Sequence, residues 1–473
     1  MKNNSFCMLY EVVSLTCVLY SFISSCSFLL IGNIVLIEYF TYIFVNYKQN
    51  GTLWNFSFLF VSTLLLFNFG QVILLAYFQD TIFNLEYRIV INMFSEQQSF
   101  LALKYINAAF VSLSIATLLV AKPFKVNFNQ YYDSEYILLK IAKPILWLTF
   151  PVKIVIDIIT VVMSFTVGFE VASMTLQAVP NFIRSYGSIS LVALALMLIA
   201  TRSKPLVQKR WFYFILLYLA IMMFSGWRSQ NVAFLLIVIY LYISTKQTNT
   251  RKKWPIYIAY GVFGYFILCF IQVVADMRTM NDRAFSDYLE AFEHAAFDGG
   301  YILLDSLREF GNTGYTAMCV VINYLNHYSP TYGMSYIYGW ASILPNFGGL
   351  AGQLTEMGAF ATQLQDKNMV LFEYSNIGGS CIGEFFYNFG LWGGVLFAFI
   401  IGCLIGKISI TTSICISRKN FLPLIALIPL MYNTLYWIRD SFGHLSRDVV
   451  WAIAFCYFIL NYITHKQYSK KIQ

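Results

Sequence analysis

The arginines are the residues of this sequence whose placement points most directly to chemistry. Eight of the twelve arginines fall on the outer side of the membrane topology derived below: Arg88, Arg184, Arg228, Arg278, Arg283, Arg308, Arg439 and Arg447. Positive charge there runs against the usual bias of membrane insertion, and the planar fork of a guanidinium binds phosphate or carboxylate in a bidentate manner. We therefore predict an outward-facing site for a phosphorylated substrate. The alternative is that these arginines lie at the interface or pair with Asp276, Asp282 and Asp440.

Arg228 has the most constrained position of the set. It lies in the segment Phe224–Asn231, a very short outer turn between two apolar stretches. A turn held by two helices positions its side chains well for a ligand. The alternative is that Arg228 anchors the turn at the membrane interface beside Trp227.

Other outer arginines come from distant parts of the chain. Arg278 and Arg283 are five residues apart at the outer end of the predicted ninth span, and Arg439 and Arg447 flank His444 in the last outer turn. Sequence-distant elements therefore bring arginine to one face of the membrane.

Three residues of this outer face are candidates for a general base. Glu384 falls at the outer mouth of the predicted tenth span, with Tyr387 and Asn388 on the next helical turn. A carboxylate near arginines suits proton removal from a sugar hydroxyl, whereas the alternative is a helix-start residue that interacts favourably with the helix dipole. His327 and His444 are the other bases on this face.

Ionisable residues inside the apolar stretches are a second signal. Lys153 and Asp157 are four residues apart, so they are predicted to form an ion pair on one helix face, and a proton relay is the competing role. Glu11 and Glu38 have no evident partner in the sequence.

The familiar catalytic motifs are absent from the sequence. It contains no P-loop, no Gly-rich dinucleotide fingerprint, no GxSxG and no HExxH. The outer segments also lack an Asp-x-Asp pair that could hold a divalent ion. The sequence therefore predicts no metal, and a leaving diphosphate would be stabilised by arginines instead.

Composition sets the class of protein that must position these residues. The chain of 473 residues is 59% hydrophobic and 11% charged, whereas soluble domains are about 25% charged. These values exclude a soluble enzyme. A nucleic-acid partner is not expected either, because the chain has no dense basic tract beyond Arg251-Lys252-Lys253.

Twelve stretches approach the roughly 20 apolar residues that a membrane span needs. They lie at about 8–24, 27–46, 53–78, 99–121, 136–166, 184–201, 211–225, 230–245, 256–275, 382–406, 421–438 and 449–464. The lysine-rich segments between them all fall on one side, which predicts that both termini are cytoplasmic. We expect an all-α, multi-pass membrane protein with about twelve transmembrane helices.

A large outer loop interrupts this series of spans. The chain is predicted to divide into spans one to nine, the loop, and spans ten to twelve with a cytoplasmic tail, at 1–275, 276–381 and 382–473. Phe285, Tyr288, Leu289 and Phe292 recur at helical spacing in the loop. Two short helices, at 302–310 and 315–325, are expected to follow.

The order of these features resembles the bacterial O-antigen polymerases of the Wzy type. The resemblance rests on the large outer loop and on four motifs: Gly226-Trp-Arg-Ser229, Arg308-Glu-Phe-Gly311, Tyr332-Gly-Met-Ser-Tyr336 followed by Leu344-Pro345, and the run Gly-Ser-x-x-Gly-Glu-x-x-x-Asn-Phe-Gly at 379–390. The architecture matches over nearly the whole chain, and the motifs over roughly its second half.

The resemblance implies a fold similar to the GT-C glycosyltransferases, without a metal or other cofactor. It implies polymerisation of oligosaccharide repeat units carried on undecaprenyl diphosphate, at the periplasmic face of the bacterial inner membrane. The growing chain would pass to a hydroxyl of the incoming lipid-linked unit as undecaprenyl diphosphate leaves. The implied partners are the lipid-linked donor and acceptor and a chain-length regulator (co-polymerase).

In that reaction Arg228, Arg278 and Arg283 would hold the diphosphate, and Glu384 or a histidine would take the proton. The other residues expected to bind substrate are Arg308, Arg439, Arg447, Tyr336 and Tyr387.

Two other functions are compatible with a chain of this kind. A flippase for lipid-linked oligosaccharides would have a similar number of spans, but such transporters are built from two similar halves, and no matching half is evident here. An O-antigen ligase would share the general architecture and use a lipid A core as acceptor. The motifs favour the polymerase.

Overall fold

The structure is a computed structural model of the chain. It describes residues 4–25, 27–79, 95–120, 122–124, 134–168, 171–172, 175, 179–224, 226, 228–245, 265, 269, 273, 285–297, 302–327, 329–344, 349–357 and 378–472. These residues fold into α-helices joined by turns, with one short 3-10 helix and no strand in the described ranges.

The N-terminal half contributes eight described helices. They are α1 (Asn4–Ile23), α2 (Phe28–Asn50), α3 (Phe56–Tyr77), α4 (Glu96–Leu119), α5 (Ser134–Thr166), α6 (Asn181–Ala200), α7 (Pro205–Phe224) and α8 (Ser229–Thr245).

The C-terminal half contributes seven more. They are α9 (Phe285–Phe297), α10 (Ile302–His327), α11 (Met334–Gly339), α12 (Leu350–Met357), α13 (Cys381–Ser417), α14 (Leu424–Trp437) and α15 (Phe442–Ile472), with the 3-10 helix Trp340–Ile343 after α11.

The helices begin and end where the sequence supplies capping groups. The Ser27 hydroxyl accepts a hydrogen bond from Leu30 N at the start of α2, and Gly51 ends that helix in the left-handed conformation, with φ of 67°. Ser95 and Gln98 form a reciprocal capping box at the start of α4. These contacts satisfy backbone groups that a helix end otherwise leaves unpaired.

The predicted all-α, multi-pass architecture is confirmed. Nine helices within the described ranges are long and apolar enough to cross a membrane, and 230–245 and 424–437 form shorter apolar helices. Eleven of the twelve predicted spans therefore correspond to helices. The remaining predicted span, the ninth in chain order at 256–275, lies outside the described residues apart from 265, 269 and 273.

The chain forms two compact units, and neither is continuous in sequence. The first unit comprises Met1–Asn127, Leu307–Ile414 and Asn433–Arg447. The second unit comprises Phe128–Ser306, Cys415–Tyr432 and Asp448–Gln473. The division at 275 and 381 that the sequence suggests remains a prediction.

The second unit contains the predicted ion pair. The ammonium of Lys153 and the carboxylate of Asp157 lie 2.5 Å apart across one turn of α5, and the Tyr218 hydroxyl donates to the same carboxylate. The predicted amphipathic helix is also present here as α9, with Tyr288 buried against Phe165 and Phe292. Leu289, which was expected on the same face, is exposed.

One helix, most of which belongs to the first unit, differs from the sequence-based expectation. Residues 302–327 form one helix, α10, instead of two short helices. Gly311 and Gly314 lie in the gap between the two expected helices, and they pack against the backbone of α3. A Cβ atom at Gly311 would lie 2.4 Å from Gln71 N, and one at Gly314 would lie 2.2 Å from Asn68 O. The glycines therefore permit close helix packing, as small residues do in membrane proteins.

We expect Gly314→Ala to destabilise the protein because the added methyl group must displace the α3 backbone. The cost should be at least about 1–3 kcal/mol. The measurement is the thermal unfolding midpoint of purified protein in detergent. Leu303→Ala on the same helix is the matched control, because that side chain is 56% exposed. Equal midpoints for the two variants would contradict the close contact.

Candidate active site

Three separate segments of the first unit meet around the carboxylate of Glu384. This residue lies in the first turn of α13 and is 1% exposed. Its Oε1 accepts a hydrogen bond from Ser335 Oγ at 2.8 Å. Its Oε2 accepts from Trp437 Nε1 at 2.8 Å and from Phe442 N at 3.0 Å. A single side chain thus connects α11, the end of α14 and the start of α15.

These contacts explain how a carboxylate is tolerated in an apolar environment. Both oxygens of Glu384 accept hydrogen bonds, and bonds to an ionised acceptor are stronger than neutral ones. Phe442 is the first residue of α15, so Glu384 also supplies negative charge at the N-terminus of that helix. The arrangement fixes where α15 begins.

The helix that carries Glu384 is interrupted a short distance further on. Gly390 has φ of 66° and ψ of −162°, which breaks the regular geometry of α13. The carbonyl of Tyr387 accepts from Thr331 N at 3.1 Å, and that of Asn388 accepts from Tyr332 N at 2.7 Å. Irregular backbone in an apolar span is tolerated where the protein itself satisfies the exposed groups. The segment before α11 does so here.

The Asn388 side chain fastens the same segment to α13. Its Nδ2 donates to Ser335 Oγ at 2.7 Å and to Glu384 O at 2.8 Å. Its Oδ1 accepts from Ser335 N at 3.2 Å and from Thr331 Oγ1 at 3.0 Å. Sequence reasoning assigned no role to Ser335 or to Asn388, although both lie in the motifs that carry the resemblance.

A histidine and an aspartate form a pair at the turn between α14 and α15. His444 Nδ1 lies 2.9 Å from Asp440 Oδ1, and the histidine side chain is 55% exposed while that of Asp440 is 13% exposed. Burial raises the pKa of Asp440, but the nearby His444 and hydrogen bonds from His444, Tyr436 and Ser441 N outweigh it, so the pKa of Asp440 is lowered. The carboxylate therefore stays ionised and orients the imidazole.

The turn that carries this pair is held from two directions. The Ser342 hydroxyl donates to Gly443 O at 2.7 Å. Gly379 packs against the Asp440 backbone so closely that a Cβ atom would lie 2.6 Å from Asp440 C. The position of His444 is thus determined by the 3-10 helix and by the segment preceding α13.

Aromatic rings surround the buried carboxylate. The Tyr336 ring stacks on Phe397 with centroids 5.0 Å apart and meets Phe442 edge-on, also at 5.0 Å. Tyr387 is 4% exposed. The more exposed rings of this region are Tyr332 and Trp340, at 77% and 52%. Sequence reasoning passed over both of these as individual residues, and their exposure makes them better placed to meet a ligand.

The structure places the predicted arginines in both units. Arg439 and Arg447 lie in the first unit with the Asp440–His444 pair and are partly exposed. Arg308 is in α10 of the same unit, where burial lowers its pKa despite the opposing effect of Glu309. Arg228 belongs to the second unit, where its carbonyl accepts from Val232 N at 2.8 Å at the start of α8.

The remaining predicted site residues are less fully described. Arg278 and Arg283, together with Asp276 and Asp282, lie outside the described residues. His327 is the last residue of α10. Across the described part of the chain, no group of three or more His, Cys, Asp or Glu residues could hold a metal ion.

Comparison with protein families places most of the chain in a known family. The family described as O-antigen polysaccharide polymerase Wzy matches residues 6–471, which is nearly the whole chain. No curated protein and no solved structure shows significant similarity to this chain.

We expect Glu384→Gln to lower stability, because the amide would bring a donor into a site that already holds three donors. Such a mismatch costs about 1–3 kcal/mol, read as a lower thermal unfolding midpoint. Leu396→Ala on the same helix, at a side chain that is 63% exposed, is the control and should lower it less.

The alternative role for Glu384 has a different signature. If Glu384 were the general base, Glu384→Gln would reduce turnover by about 10²–10⁴-fold with an unchanged unfolding midpoint. That result would contradict a positioning role.

Proposed function

Because the chain belongs to the Wzy family of O-antigen polysaccharide polymerases, we propose that it joins repeat units carried on undecaprenyl diphosphate at the periplasmic face of the inner membrane. The family establishes a membrane-bound, glycosyltransferase-type polymerase that acts on lipid-linked oligosaccharide repeat units. The carrier released, the side of the membrane and the roles of individual residues are our proposal.

In the proposed reaction, the glycosidic bond between the growing chain and the diphosphate breaks. A new bond forms from the same sugar carbon to a hydroxyl of the incoming lipid-linked unit. The hydroxyl proton passes to a base, and undecaprenyl diphosphate leaves with the bonding electron pair. The protein must therefore supply a base and stabilise the negative charge that develops on the leaving diphosphate.

We assign the base to His444 on the geometry of its pair with Asp440. Asp440 holds Nδ1, which fixes the tautomer whose Nε2 can accept a proton. The imidazole is 55% exposed and thus accessible to a substrate, whereas Glu384 is 1% exposed and both of its oxygens accept hydrogen bonds. Glu384 is then a positioning residue, since it fixes the start of the helix that carries His444.

The proposed phosphate-binding groups are arginines, without a metal ion. Arg439 and Arg447 flank the base in the same unit. Arg228, Arg278 and Arg283 are proposed to hold the leaving diphosphate, where a guanidinium fork fits phosphate oxygens. We propose that the exposed Trp340 ring stacks on a sugar of the acceptor. The ring meets that of Phe442 edge-on with centroids 5.6 Å apart, and Phe442 begins the helix that carries His444, so Trp340 lies near the proposed base.

We expect a deletion strain to make lipopolysaccharide capped with a single repeat unit, and the wild-type gene to restore the ladder on a gel. Arg228→Lys should restore little of it, because a point charge does not replace a bidentate fork. Arg210→Lys, at an exposed position after the sixth predicted span, is the matched control. Uncapped core in the deletion strain would indicate a ligase or flippase, and a full ladder from Arg228→Lys at wild-type protein level would refute the diphosphate role.

We expect His444→Gln to reduce polymerisation by purified protein in lipid by about 10²–10⁴-fold, the contribution of a general base. In the wild type the rate should fall as pH is lowered and the imidazole protonates. Because the pKa of Asp440 is lowered, this carboxylate stays charged over the same range. His294→Gln, on the exposed side of α9, is the control. Wild-type turnover in His444→Gln would remove it from the reaction.

A further inference from the structure

One face of α2 carries a polar side chain on every turn. Glu38, Tyr42, Asn46 and Asn50 are spaced by four residues in a largely apolar helix, so they stack along one side of it. Glu38, Tyr42 and Asn46 are fully buried, whereas Asn50 at the end of the helix is exposed. A polar stripe thus runs from the middle of this span to the surface.

Glu38 is the innermost member of the stripe and has incomplete hydrogen bonding. Asn107 Nδ2 of α4 donates to Glu38 Oε1 at 3.3 Å. Glu38 Oε2 and Asn107 Oδ1 have no hydrogen-bond partner among the described residues. Both atoms are acceptors while the carboxylate is ionised. If Glu38 Oε2 carried one proton, it would become a donor and could donate to Asn107 Oδ1, which is the free acceptor of the same amide.

The charges around Glu38 favour that proton. The groups of the described residues that interact with it are Asn107 of α4 and Tyr10 and Cys17 of α1, none of which is cationic. Lys104, one turn before Asn107, instead lies over the Phe22 ring with Nζ 5.8 Å from its centroid. A buried carboxylate without a counter-charge is strongly disfavoured in a membrane.

Hydroxyl groups lie between Glu38 and the next polar side chains. The Tyr10 hydroxyl lies close enough to Glu38, Ser14 and Ser114 to interact with them electrostatically, although the hydroxyls of Tyr10, Ser14 and Ser114 have no hydrogen-bond partner among the described residues. The Tyr10 and Tyr42 rings meet edge-on with centroids 5.8 Å apart. The Tyr42 hydroxyl lies 3.3 Å from Thr117 Oγ1.

The connection then continues to the end of α2. Tyr42 interacts with Ser57, whose Oγ donates to Asn55 Oδ1 at 2.8 Å. Asn55 Nδ2 donates to Asn46 Oδ1 at 3.3 Å, and Asn50 Nδ2 donates to the same oxygen at 2.7 Å. All of these residues belong to the first unit.

We propose that Glu38 is a proton-binding site in the middle of the membrane, and that it exchanges its proton with the cytoplasmic side through this polar column. The step is the reversible protonation of Oε2. Water that enters from the cytoplasmic side along the hydroxyl and amide groups between Asn50 and Glu38 carries the proton, because a side-chain amide does not itself relay one. The column opens where α2 ends, the end that the predicted topology places in the cytoplasm. This site is separate from the proposed polymerisation site and requires no assumption about it.

The test is infrared difference spectroscopy of the purified full-length protein in lipid. Wild type should show the carbonyl band of a protonated carboxylic acid at neutral pH, and Glu38→Gln should lack it. Asn107→Leu should shift the band, because the Glu38 carboxyl loses its amide partner. This shift assigns the band to Glu38 independently, in case Glu38→Gln does not fold.

Exchange into deuterated water tests the column. Tyr42→Phe should slow the deuterium shift of this band by roughly five-fold or more, the factor that one lost hydrogen bond supplies. Tyr39→Phe on the same helix is the matched control, because that hydroxyl donates to Ser62 Oγ outside the column. A wild type without the Glu38 band would show an ionised carboxylate and overturn the proton site. Equal exchange rates in the two tyrosine variants would overturn the pathway.

Discussion

The part of the first unit around α11 and the start of α13 depends on one buried carboxylate and its three donors. A carboxylate that is removed from water must be fully hydrogen-bonded, or its charge destabilises the fold. Each donor to Glu384 comes from a different segment, so the segments are obliged to stay together. Because one donor is the first amide of α15, the same interaction sets the register of the helix that carries His444. The position of His444, the proposed base, thus depends on where the buried Glu384 finds its hydrogen-bond donors.

A second constraint acts on the backbone of the helix that carries Glu384. The break at Gly390 leaves carbonyl groups that an apolar environment cannot solvate. The amides of Thr331 and Tyr332 satisfy two of them, and this requirement places α11 beside α13. Tyr332 itself has φ of 52°, a conformation that costs a bulky residue free energy and that is maintained where surrounding contacts require it. The break and the strained tyrosine are therefore two parts of one arrangement.

Much of the fold follows from local patterns, and most of the site does not. The apolar stretches locate eleven helices because hydrophobic periodicity is a property of neighbouring residues. The Lys153–Asp157 pair follows from spacing alone, and so could the Asp440–His444 pair, although Asp440 was considered only as a partner for arginines. Ser335, Asn388 and Trp437 could not be linked to Glu384 from the sequence, because they meet it only after distant segments pack. The continuity of α10 across Gly311 and Gly314 could not be predicted for the same reason, since the partner of these glycines is the distant backbone of α3.

The packing of α10 on α3 also determines when, during synthesis, the first unit can be completed. The chain segment of α3 that accepts Gly311 and Gly314 emerges from the ribosome long before those glycines are made. The last segment of the unit, Asn433–Arg447, follows later still. Until α10 is made, the surface of α3 that it covers faces lipid or transient partners, and contacts between such distant segments form slowly. A nascent chain that stops before α10 is made therefore carries a membrane-embedded but unfinished unit, which quality-control proteases can recognise through its unpacked α3.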